Sequence, residues 1–140
     1  MLRFSHILCP IDFDQALLAS VRLAADLAQE DNAVLYLLHV VHLHPAAEPS
    51  VSLREAEAEA QTRLEQISRR RLRAGTQFEL HVVSGDAAGE ILHAATRFGI
   101  DLIVMATHGR TGIRRLVLGS IAERVVREAP CPVLTIRPNP

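Results

Sequence analysis

A chain of 140 residues with 49% apolar and 22% charged residues has the make-up of a folded globular protein, which excludes a disordered or fibrous one. At this length about 70% of the surface of the unfolded chain is buried on folding, so neither disulfides nor a metal is needed as a staple. A formal net charge of −1 gives no general attraction to nucleic acid or to an anionic membrane, and any anion site must be local.

The N-terminal MLRFSHILCPIDFD carries a short apolar run broken by Pro10 and Asp12, far short of a signal peptide or a membrane span, so a cytoplasmic location is expected. His6 to Ile11 reads as the first strand. A helical pattern follows from about Gln15 to Glu30, with Ala16, Leu17, Ala24, Leu27 and Ala28 on one stripe. Ala33 to Val41 is the second strand. Ser52 and Glu55 form a candidate capping box for a helix reaching about Arg73, with Leu53, Ala56, Ala60, Leu64 and Ile67 on its apolar face and Gly75 as its stop. Phe78 to Val83 is the third strand, Ala87 to Phe98 a helix stopped by Gly99, and Leu102 to Ala106 the fourth strand. A last helix runs from about Ser120 to Pro130, and Val133 to Ile136 is the fifth strand. The two cysteines, Cys9 and Cys131, read as reduced, small hydrophobes.

Most of these strands lack polar alternation, the pattern of a parallel sheet covered on both faces. The alternating order predicts a single α/β domain over 1–140, doubly wound, with five parallel strands and right-handed crossovers. In such a sheet ligands bind beyond the carboxyl ends of the strands, where the strand order reverses. With the order 3-2-1-4-5, Pro10, Ile11 and Asp12 would face Ala106, Thr107, His108 and Gly109 across one crevice.

The stretch MATHGRTGIRRLVLGS, residues 105–120, holds Gly109, Gly112 and Gly119 between a strand end and a helix start. It lacks the Gly-Lys-Ser/Thr of a Walker A loop and the GxGxxG of a dinucleotide fold. Two readings stand: loop punctuation, or a phosphate cradle. Glycines let the backbone approach a polyphosphate closely, and the free amides of Ser120, Ile121 and Ala122 at a helix start attract an anion. Asp12 has two readings as well, as a ligand contact or as the cap of the first helix. Arg110, Arg114 and Arg115 are phosphate partners or solvated loop cations.

Together ILCPIDFD, LLHVV and the C-terminal segment from Met105 to Arg137 resemble the universal stress protein family along essentially the whole chain. The resemblance implies an adenine nucleotide α-hydrolase-like fold. It is closest to the nucleotide-binding branch, whose spacing of Gly, two residues, Gly, nine residues, Gly, Ser/Thr falls here on Ala106, Gly109, Gly119 and Ser120. Alanine replaces the first motif glycine, and Asp14 stands where many relatives have serine. By the same resemblance Asp12 would meet the ribose or base, the main chain of Val40 the adenine edge, and Met105 and Thr107 would flank the glycine turn. The implied nucleotide-binding set is Pro10, Ile11, Asp12, Val40, Met105, Ala106, Thr107, His108, Gly109, Arg110, Gly119, Ser120 and Ile121.

The implied ligand is ATP, with Mg2+ or Mn2+ carried by the nucleotide, in a stress-response module that forms a homodimer through Val133 to Ile136. A slow ATPase is the most activity expected, because the lysine and paired aspartates of phosphoryl-transfer sites are missing. The alternative is a nucleotide-independent dimeric scaffold or chaperone-like factor, which Ala106 and Asp14 favour. His39, His42 and His44 lack an acidic or cysteine partner at zinc-ligand spacing. The arginines between Arg69 and Arg73 read as a solvated helix face rather than a nucleic-acid patch.

Overall fold

The computed structural model describes residues 2–13, 18–42, 50–107 and 119–137. Its elements run β1 (His6–Pro10), α1 (Leu18–Asp31), β2 (Val34–His42), α2 (Ser50–Arg71), β3 (Phe78–Gly85), α3 (Ala87–Arg97), β4 (Leu102–Ala106), α4 (Ser120–Glu128) and β5 (Val133–Ile136). The strands form one sheet in the order β3-β2-β1-β4-β5, and every neighbouring pair is parallel. This is the doubly wound order that the sequence predicts.

Successive residues of β1 point to opposite faces, and the helices follow that alternation. Ile7, Cys9 and Ile11 pack with Leu35, Leu37, Val104, Val21, Ala24 and Leu64, so α1 and α2 cover one face. Leu8 packs with Tyr36, Leu38, Ile103, Met105, Ile91, Ala95 and Val125, so α3 and α4 cover the other. Both cysteines are free thiols, with Cys9 in the first of these layers and Cys131 against the second. Burial without a charged partner raises the Cys9 thiol to about 12.

Several boundaries differ from the sequence reading. Helix α2 begins at Ser50, so Ser52 lies inside its first turn and is not an N-cap; a capping box needs its serine ahead of the first helical residue. The same helix ends at Arg71, two residues short of Arg73, and its last turn holds Arg69, Arg70 and Arg71, where cations oppose the helix dipole. Gly75 stands beyond that end at φ +91°, a conformation glycine adopts without strain. Helix α4 stops at Glu128, ahead of Pro130, because the residue before a proline avoids helical backbone. Burial on both faces holds for β1, β4 and the first half of β2, whereas β3 and β5 are partly exposed because they are the sheet edges. Of the first helix's predicted stripe, Ala24 and Ala28 are buried, while Ala16 and Leu17 lie outside the described residues.

Candidate nucleotide site at the strand exits

The sheet opens where its order reverses. Strand β1 pairs with β4 only at Ile7 with Leu102 and Leu8 with Ile103, whereas β4 stays paired with β5 as far as Ala106 with Ile136. Pro10 has no N–H to give a ladder, and past Leu8 the two central strands are no longer joined. A crevice at their carboxyl ends follows from that break.

The β1 wall of the crevice is tied to β2. The Ile11 amide donates to Leu38 O at 2.8 Å. Its carbonyl, 2.6 Å from His39 Nδ1, accepts a hydrogen bond from that ring. A carbonyl only accepts, so the proton sits on Nδ1. Burial pushes the His39 pKa down, against the Ile11 hydrogen bond and the Asp12 charge, which raise it, and Arg63 lowers it further. Asp12, the next residue, is exposed. Phe13 then takes φ +66°, the left-handed region that a non-glycine residue rarely occupies. Its ring lies 4.2 Å from the His39 ring, and the Arg63 guanidinium of α2 sits 4.3 Å from its centroid.

The β4 wall leads to a helix start. Thr107 donates its amide to Ile136 O at 2.9 Å and accepts the Gly119 amide on its carbonyl at 2.8 Å, so Thr107 and Gly119 are held together at the end of β4. Gly119 is the N-cap of α4, with φ −62° and ψ 157° and no side-chain cap. Glu123 N is the first helical amide bonded back, to Gly119 O at 2.8 Å. The amides of Ser120, Ile121 and Ala122 precede it and have no acceptor within the helix, which leaves a positive dipole end. Ordinary extended angles at Gly119 do not require glycine, so what glycine gives there is room over those amides.

The predicted site residues divide accordingly. Pro10 ends β1 with Ile11 and Asp12 just beyond it, Thr107 follows β4, Gly119 caps α4, and Ser120 and Ile121, both exposed, start that helix. Val40 is half-buried in β2, one strand away, beside Val83. The Met105 side chain is buried against the α3/α4 layer, leaving only its main chain for a ligand. The methyl of Ala106 packs on the opposite, α1/α2 core. His108, Gly109 and Arg110 lie outside the described residues, as do Gly112, Arg114, Arg115, Asp14, His44 and the residues that would cap α1. Sequence reasoning weighed His39 only as a metal ligand and missed Phe13 and Arg63. The available signal was one histidine inside an otherwise apolar strand.

Just past the end of β3, Asp86 accepts from Gly89 N at 2.9 Å to cap α3 and pairs with Arg124 of α4 at 2.8 Å. The amide hydrogen bond comes first in holding its carboxyl below the usual range, and Arg124 adds to it. An open cleft of about 560 Å³ lies apart from these strand ends, between α1 and α2, lined by Ala19, Arg22, Leu23, Asp26, Arg70 and Arg71. Among the described residues its lining holds no strand end.

The model of the Universal stress protein family matches residues 3–137. The chain is 34% identical to universal stress protein MJ0531 of Methanocaldococcus jannaschii, over 96% of this chain and 82% of that one. Among solved structures it is similar to universal stress protein UspA from Lactobacillus plantarum, with TM-score 0.85 and 30% identity over 98% and 100% of the two chains. It also shares the fold of the universal stress protein from Archaeoglobus fulgidus in complex with dAMP, with TM-score 0.70 and 22% identity over 96% and 99%. With its fold, strand order and motif spacing in agreement, the chain belongs to the universal stress protein family.

Proposed function

We propose that this protein binds an adenine nucleotide, ATP, in the crevice between the ends of β1 and β4, and acts as a nucleotide-dependent stress-response module. The observation that carries this reading is the uncapped start of α4, held against the end of β4 by the Gly119–Thr107 hydrogen bond. The amides of Ser120, Ile121 and Ala122 meet no side-chain cap from Gly119, which suits a phosphate chain. Asp12 stands across the crevice as an acceptor for ribose or amino groups. Gly109, His108 and Arg110 complete the proposed set, and the phosphates themselves would carry Mg2+ or Mn2+. The dAMP held by the Archaeoglobus relative supports an adenine ligand. The extra methyl of Ala106 packs into core, which supports ligand entry despite the missing motif glycine.

The same reading includes a homodimer through β5 in the cytoplasm. That strand is a sheet edge with Leu134 38% exposed, an edge that pairing with a second copy would cover. Sedimentation velocity should give a dimer, and a monomer at all concentrations would remove this part. For the nucleotide, Mg-ATP at about 100 times its Kd stabilises by roughly 2.7 kcal/mol, several degrees in Tm. A thermal melt unmoved by millimolar Mg-ATP contradicts the proposal.

A further inference from the structure

Three side chains that no motif marks meet at the β1 exit: His39 from β2, Phe13 from the exit itself and Arg63 from α2. We infer that they form a clamp that positions Asp12 for the nucleotide, so that affinity depends on residues which need not touch the ligand; this inference rests on the nucleotide reading above.

Asp12 sits between two fixed points. On one side, the Ile11 peptide is held at both its amide and its carbonyl by β2. On the other, the Phe13 ring contacts both the His39 ring and the Arg63 guanidinium. The left-handed backbone at Phe13 is costly for a side chain that branches into a ring, and it persists where surroundings over-determine it. The contacts of the ring with His39 and Arg63 supply that determination. Without the clamp the exit relaxes, and the carboxylate must be ordered when the ligand binds, which weakens binding. The groups facing His39 are the Asp12 carboxylate ahead of it and the Arg63 cation from α2.

Four variants separate positioning from bulk. His39→Leu removes the Nδ1–H donor and should weaken Mg-ATP about tenfold, the value of one such hydrogen bond. His39→Asn offers a neutral amide donor to Ile11 O and should recover most of that loss. Phe13→Gly relieves the left-handed backbone yet should also weaken binding about tenfold, because the ring is the bolt. Arg63→Ala should cost roughly threefold. The imidazole 15N spectrum of the parent should show the proton on Nδ1, and hydrogen exchange at the Ile11 amide, which donates to Leu38 O, should quicken in His39→Leu. Equal affinity in Phe13→Gly and parent, no recovery in His39→Asn, or a proton on Nε2 overturns the clamp. A parent that binds no nucleotide sinks the site reading instead, and the clamp is then decided by the 15N spectrum and the Ile11 exchange rate alone.

Discussion

Replacing Gly119 by valine is expected to weaken Mg-ATP binding at least about a hundredfold, some 2.7 kcal/mol, while leaving the fold in place. The backbone at this residue is extended, at φ −62° and ψ 157°, and valine adopts it without strain. Its amide and carbonyl bond to Thr107 O and Glu123 N, and the substitution alters neither. Losing a glycine cap costs under about 1 kcal/mol of stability. The added isopropyl group instead stands over the amides of Ser120 and Ile121, where a phosphate would approach. Calorimetric titration should therefore lose its binding heat while the melting temperature of the free protein moves by only a few degrees. Unchanged affinity in this variant would place the phosphates elsewhere.

Leu64→Ala is expected to cost about 3 kcal/mol, a fall in Tm on the order of 10 °C. Helix α2 buries Ala60, Leu64 and Ser68 at successive turns, and of these Leu64 is the large apolar side chain, 0% exposed. Its removal leaves a cavity against Ile7, Leu35 and the α1 residues of the same core. Because Arg63 is its neighbour, loosening α2 also withdraws the outer half of the clamp, so nucleotide affinity should fall with stability. Chemical denaturation should show the lower midpoint. A loss below about 1 kcal/mol would mean that α2 is held mainly by other contacts.

The sheet was legible because parallel strands buried on both faces must be written as apolar runs. Leu102–Ala106 and Val133–Ile136 have in the structure the bounds that their sequence predicts. Boundaries set by local signals were less legible: Ser52 with Glu55 suits a capping box, yet the helix already begins at Ser50. The helix start at Gly119 and Ser120, the proposed phosphate end, was readable from spacing. The β1 end was not, because His39, Phe13 and Arg63 come from three elements. Nothing local in the chain says that a strand histidine turns its Nδ1 to a carbonyl of the neighbouring strand. Pro10 belongs to the same class: its residue type is plain in the sequence, but its consequence, the early end of the β1–β4 ladder, depends on which strand lies beside it.

The most direct test of the central claim is a titration of the protein with Mg-ATP followed by backbone amide NMR. The account predicts saturable shifts at Asp12, Thr107, Ser120 and Ile121 that disappear together in Gly119→Val. No shifts at millimolar nucleotide, or shifts confined to the α1/α2 cleft around Arg22, Arg70 and Arg71, would contradict it.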